Sequence, residues 1–333
     1  MQALCYPQDG PEPAPYDATL ALEGGGVRGI VTLRLAAEIE KRTGKCATDI
    51  FTRFSGASIG FFNCLALNYP NEFNRPKYSA RAAMGLFEEA MPQIFNRTVL
   101  RTILSANGLL YSKYPADGLE KMAQKYLGNT PLNQSIRQIL APAVNLGPEK
   151  AYTFDSREPS SILMWQAARA GTAAESYFPS YTLEINGKTH TFCDGGTYDN
   201  TGLGVDYPEL FKAATTPKNI FVVALGTGET KQKISTRWSG SAGILSWAPE
   251  ILPVIFDTSK SQDCQNFKQM LPDNFKPGAQ HAFALLEPRI PFSESALDDA
   301  SPENLQKLVE STNKYIEDHD EKIRDLCKAL GEA

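Results

Sequence analysis

Twice within the first 70 residues, an apolar strand-length run ends in glycines and passes directly into an apolar helical pattern. Residues 18–22 (ATLAL) read as a short buried strand. Gly24, Gly25, Gly26, Val27, Arg28 and Gly29 follow, and Val31, Leu35 and Ile39 then recur at helical spacing up to Gly44. A second strand over about 50–54 runs into Gly56, Ala57, Ser58, Ile59 and Gly60, and the apolar run 61–67 reads as a buried helix. Strand, glycine turn and helix in repeated succession is the grammar of a parallel α/β sheet.

The rest of the chain fills in the same class. Residues 78–145 read as mainly helical, with breaks at Pro115 and Gly128, and an Ala-rich helix is expected around 165–172. Runs at 181–185 and 188–192 flank Asn186-Gly187, a strong tight-hairpin signal. Residues 219–225 form another apolar strand ending at Gly226. From Ser301 a capped helix with Pro302 in its first turn carries Leu305, Leu308, Val309, Ile316 and Ile323 on its apolar side. The apolar segment 243–256, interrupted by Pro249 and Pro253, reads as a cap over the core or a membrane-docking surface, not as a clean helix. The fold class expected is α/β, a three-layer sandwich with a central, mainly parallel sheet. A Pro-rich arm over 1–17 precedes a main domain over 18–290, and a C-terminal helical segment over 291–333 packs on that domain.

Charge and side-chain inventory exclude several functions. The 333 residues carry 33 basic and 38 acidic side chains, a net charge of −5, and no basic block, which argues against nucleic-acid binding. Six cysteines show no Cys-x-x-Cys pair and none sits near a histidine at metal-ligand spacing, so they read as reduced thiols and no metal is expected. The N-terminus lacks the basic and apolar regions of a signal peptide, and no apolar run reaches the roughly 18 residues a membrane span needs. A cytoplasmic or peripheral-membrane protein is expected.

Three motifs carry chemistry. In Gly56-Ala57-Ser58-Ile59-Gly60, small neighbours let a serine stand on a tight strand-to-helix turn, where the helix N-terminus faces developing negative charge. The loop 24–29 formally satisfies Gly-x-Gly-x-x-Gly, but Asp49, the acidic residue a dinucleotide site would need, precedes its strand instead of ending it. Read as a hydrolase loop, the same glycines bring N–H groups to a carbonyl oxygen. Asp194-Gly195-Gly196 ends the second hairpin strand and supplies a carboxylate. Of the three histidines, His190 and His319 suit a strand and a charged helix. His281 is the one candidate for a Ser–Asp–His triad.

In this order, the three motifs resemble those of the patatin-like phospholipase family, in particular its bacterial type. Residues 165–174 followed by Tyr177-Phe178-Pro179 resemble the family's helix before the hairpin, and 223–228 resemble its strand after the aspartate. The resemblance implies a Ser–Asp dyad in place of a triad. Ser58 would attack an ester carbonyl, Asp194 would accept its proton, and the loop Gly24, Gly25, Gly26, Val27, Arg28 and Gly29 would hold the oxyanion. Gly56 and Gly60 would shape the elbow, and Gly195 and Gly196 the Asp turn. Arg28 would either support the loop or pair with a lipid phosphate. The implied substrate is a phospholipid or lysophospholipid, with peripheral membrane contact, no metal or organic cofactor, and an activator left open. Two departures stand beside the site: Glu175 replaces a frequent proline, and Thr197-Tyr-Asp-Asn-Thr-Gly202 follows the Asp-Gly-Gly in place of Asn-Asn-Pro. They keep open a catalytically weak lipid- or partner-binding protein on the same scaffold.

Overall fold

A computed structural model describes residues 16–98, 105, 111–214, 219–229, 244–271, 275 and 281–332. The Pro-rich arm therefore lies outside the described residues, except for its last two.

An eight-stranded mixed sheet forms the centre. β1 (Tyr16–Leu22) lies parallel to both β2 (Arg53–Gly56) and β7 (Asn219–Leu225). β8 (His281–Leu286) extends the parallel set beyond β7, and β3 (Gln138–Asn145) extends it beyond β2. β4 (Lys150–Asp155) runs antiparallel along one edge of β3. The other edge of β3 is shared. Its first half, up to Leu140, pairs with β2, and its second half, from Ala143, pairs antiparallel with β6 (Lys188–Asp194). β5 (Tyr181–Ile185) closes the hairpin through Asn186 and Gly187, which take φ of 53° and 73° as a primed turn requires.

Both faces of the central strands are buried, as parallel strands between helices must be. On β7, Phe221, Val223 and Leu225 join the larger core, while Ile220, Val222 and Ala224 join a second one. The larger core packs α1 (Gly29–Thr43), α3 (Ile59–Leu67), α4 (Ala80–Ile94), α5 (Asp117–Leu127) and α6 (Met164–Gly171) on one face; a short α2 (Ala47–Ile50) precedes β2. The second core sets Leu203 and Leu210 of α7 (Leu203–Ala214) and Phe267 of α8 (Ile244–Met270) against the other. Each such Leu or Phe contributes roughly 1.5–3 kcal/mol by leaving water. The chain is thus the expected α/β sandwich with a mainly parallel sheet.

Three expectations are corrected. The stretch 78–145 ends in β3, not in helix, because its apolar run QILAPAVN lies between two strand partners. Pro142 falls in the stretch of that shared edge that neither β2 nor β6 pairs. Helix α8 continues through Pro249 and Pro253. The C-terminal helix is two: Ser301 caps α9 (Pro302–Asp318) by accepting from Asn304 N–H, His319 leaves helical geometry, and α10 (Asp320–Glu332) carries the buried Ile323.

Candidate active site

The loop after β1 and the turn after β2 leave the same ends of adjacent parallel strands, where α/β folds collect their ligands. Ser58 sits between β2 and α3 at φ 51° and ψ −125°, a conformation non-glycine residues rarely adopt and one that persists where surroundings enforce it. The enforcement is visible. A Cβ on Gly56 would lie 2.8 Å from the Leu22 carbonyl oxygen, and one on Gly202 would lie 2.5 Å from Gly56 N. Only chain without side chains fits through this crossing.

Asp194 ends β6, and its register opposite Ala143 places it just past the point where β2 leaves the shared edge of β3. Gly195 presses against Pro142, where an added Cβ would meet the carbonyl carbon at 2.3 Å. The Asp194 N–H donates to Ala173 O at 3.1 Å, and its Oδ1 accepts from Gly196 N–H at 2.8 Å. Oδ2 is buried and makes no hydrogen bond of ordinary geometry. Burial pushes the carboxyl pKa up to about 7, against the opposing pull of the Ser58 hydroxyl and the Gly196 N–H.

Ser58 and Asp194 open onto one narrow cavity of about 60 Å³, walled mainly by apolar side chains that include Phe62, Ile94, Phe95 and Phe178. Gly25 and Gly26 also line it. The other loop N–H groups are engaged elsewhere. Gly24 donates to Asn200 O at 2.9 Å, Val27 to Leu297 O at 2.9 Å, Arg28 to Gly25 O at 3.1 Å, and Gly29 to Gly26 and Val27 carbonyls. The six-residue loop thus presents Gly25 and Gly26, and not its other four residues, to the cavity. The Arg28 guanidinium reaches the Gly228 carbonyl at 3.5 Å and does not line the cavity, which favours its supporting role.

No histidine lines the cavity among the described residues. His281 opens β8, and its Nδ1 accepts from Ile220 N–H at the opposite end of the parallel strands from Ser58. His190 contacts Asn145 Nδ2 at 2.7 Å, and His319 stacks on Tyr315. A triad through His281 is excluded by this separation.

The match to known proteins accords with this geometry. A family model described as patatin-like phospholipase matches residues 20–206, more than half of the chain. The chain belongs to this family. Similar proteins come from plants and from bacteria, so membership is not confined to a bacterial type. Patatin-like protein 4 of Arabidopsis thaliana is 27% identical over 72% of this chain and 69% of its own length. A cGAMP-activated phospholipase of Pseudomonas aeruginosa is 29% identical over 78% of this chain and 77% of its own. A second, from Vibrio cholerae, is 27% identical over 90% and 92%.

Several groups behind this patatin-like site carry no local sequence signature. Glu23, just before the glycine loop, accepts from Thr227 N–H at 2.6 Å and pairs with Lys260 of α8 at 3.2 Å. Lys260 also pairs with Glu287, so a charged bridge ties α8 to the ends of β1 and β8. Thr227 packs where a Gly25 Cβ would stand, at 2.6 Å. Asn200 lines the cavity and backs Gly24, while Phe256 and Leu297 complete the wall. Asn200 lies within Thr197-Tyr-Asp-Asn-Thr-Gly202, the stretch that departs from Asn-Asn-Pro. Lys260, Phe256 and Leu297 come from segments without a motif. Among the described residues no acidic, histidine or cysteine cluster could hold a metal, and no helix is long and apolar enough to cross a membrane.

Proposed function

We propose that this protein hydrolyses fatty-acyl esters of lipids, as a phospholipase A or lysophospholipase, through Ser58 and Asp194. One observation carries the reading: a serine held at positive φ and a buried carboxyl with a pKa near 7 face the same apolar cavity. An ordinary aspartate, with a reference pKa near 3.9, is a poor base at neutral pH, and burial brings Asp194 into the working range.

In the first step the Ser58 oxygen attacks the acyl carbon and its proton passes to Asp194. The Gly25 and Gly26 N–H groups hold the oxygen that becomes negative. The bond to the alcohol oxygen breaks, Asp194 returns the proton to that oxygen, and an acyl-serine remains. Water then attacks the acyl-serine and gives its proton to Asp194, the bond to the Ser58 oxygen breaks, and Asp194 passes the proton to that oxygen, so that fatty acid and free serine result. Residues 18–290 form the hydrolase unit in this reading, with 291–333 packed on it. Peripheral membrane contact delivers the substrate.

The test is labelling by a fluorophosphonate together with fatty-acid release from a mixed phospholipid extract. Since two bacterial relatives are named for activation by cGAMP, release is measured with and without cGAMP. Labelling and release by the native chain, both lost in Ser58→Ala, are the expected results. A native chain that neither labels nor releases fatty acid under either condition is a binding protein, and the reading fails.

A further inference from the structure

The second half of the proposed reaction makes a demand that Ser58 and Asp194 do not meet alone. Water enters an apolar cavity with two O–H groups, and Asp194 accepts only one of them. A buried donor left without an acceptor is costly, so a further oxygen has to face the same space.

Asn200 supplies one. Its side chain is buried, and it lines the cavity. Nδ2 donates to Glu23 Oε1 and to the Gly24 carbonyl, each at 3.4 Å. A carboxylate and a carbonyl only accept, so the NH2 end of the amide must face them and Oδ1 is turned the other way. The hydrogen bonds of Asn200 among the described residues run through its backbone N–H, its backbone carbonyl and Nδ2. Oδ1 keeps its lone pairs open. The Thr172 hydroxyl, also on the wall, is instead committed to the Ala168 carbonyl at 2.7 Å.

Two glycines place Asn200 Oδ1 beside both reacting groups. It lies 2.5 Å from the point a Gly24 Cβ would occupy, and the Ser58 Cβ lies 3.2 Å from that same point. It lies 3.0 Å from the corresponding point on Gly196, and Asp194 Oδ1 lies 3.2 Å from that one. The two oxygens are therefore no farther apart than two hydrogen bonds laid end to end, the span that a single bridging water covers.

We infer that Asn200 is a further catalytic residue, which holds the water that frees the acyl-serine. One O–H of that water donates to Asn200 Oδ1 and stays intact. The other gives its proton to Asp194 as the water oxygen bonds to the acyl carbon. The bond to Ser58 Oγ breaks, and Asp194 passes the proton to that oxygen. The O–H held by Asn200 leaves as the acid group of the fatty acid. Formation of the acyl-serine uses no water and does not need this contact. The inference rests on the hydrolase reading, and it holds for phospholipid and lysophospholipid alike, since the acyl-serine is the same once the alcohol has left.

Asn200→Leu removes the acceptor at nearly constant size. The glycine loop keeps its other ties, because the backbone carbonyl of residue 200 still accepts from Gly24 N–H and Thr227 Oγ1 still donates to the Gly24 carbonyl at 3.1 Å. With p-nitrophenyl octanoate the variant should release p-nitrophenol in a burst equivalent to its serine, and its acyl-serine, followed by intact-protein mass, should decay about 10²-fold more slowly than the native one. Fluorophosphonate labelling and kcat/KM report attack by Ser58 and should stay within about twofold of native. An acyl-serine that decays at the native rate overturns the inference. Labelling that falls as far as the decay also overturns it, and makes Asn200 a support of the loop only. A second measurement needs neither turnover nor the variant: a high-resolution crystal structure of the native protein should show a water within hydrogen-bond reach of both Asn200 Oδ1 and the Asp194 carboxylate. Absence of that water overturns the inference, whereas the bridging water in a native chain that neither labels nor releases fatty acid sinks only the hydrolase reading.

Discussion

Leu22 and Gly60 are packed so closely that a Cβ on Gly60 would lie 1.9 Å from the Leu22 carbonyl oxygen. The obstacle is backbone on both sides, the end of the first strand and the first turn of the helix behind Ser58. Gly60→Ala should therefore destabilise the fold by about 3 kcal/mol or more and abolish ester hydrolysis, because strain of this kind has no flexible side chain to absorb it. Gly85, within α4, is the control: nothing lies within 4 Å of its Cβ position. Gly85→Ala should raise stability by about 0.5–1 kcal/mol, from helix propensity alone. Thermal melts of the two variants give the contrast.

Asp194→Asn should cut kcat by about 10²–10⁴-fold, the range for a lost general base. His281→Ala should leave kcat nearly unchanged, since that ring sits at the far end of the strands. Large, equal losses at both positions with native melts would return the mechanism to a triad.

The raised pKa of Asp194 also has a stability signature. Its value rises from 3.8 to about 7 on folding, so the folded state favours the protonated form. The stability it contributes is full below pH 3.8 and is lost as pH rises toward 7. Relative to the native protein, Asp194→Asn should gain stability across that window and then level off, by an amount on the order of a few kcal/mol. For the same reason kcat/KM of the native enzyme should climb through pH 7 as the base ionises. A flat difference between the two melting profiles from pH 4 to 8 would contradict the assignment.

Lys260 stands between two largely buried carboxylates, Glu23 and Glu287. Lys260→Met leaves both without their cation and should destabilise the protein by about 3–5 kcal/mol at pH 7, as breaking a buried pair does. The loss should shrink in acid, where Glu287, whose pKa is already raised by burial and by Glu23, takes up a proton first. Chemical denaturation at pH 5 and pH 8 measures both.

The sequence made the repeated strand–glycine–helix units readable because apolar runs ended in residues with one structural use. The Asn186-Gly187 hairpin was readable for the same reason. The β3 strand was not, since Pro142 breaks the pattern of a central strand and its tolerance depends on which neighbour lies beside it. The division of the C-terminal helix at His319 likewise depends on packing, as both halves keep helical composition. Ser58 and Asp194 announced themselves through their glycine neighbours. Lys260, Phe256 and Leu297 did not, for each reaches the cavity or its backing by tertiary placement alone.

Two strands that run in opposite directions meet end to end along one edge of β3, with only Ala141 and Pro142 between their pairings. Ser58 departs from one and Asp194 from the other, so β3 acts as a ruler whose unpaired gap sets their separation. The loops on either side can lengthen, shorten or change composition without altering that gap. Insertion of a single residue between Leu140 and Ala143 would move Asp194 by one strand position and turn its side chain to the opposite face. In the proposed reaction, whatever the substrate touches can vary while the separation of Ser58 and Asp194 stays written into a sheet.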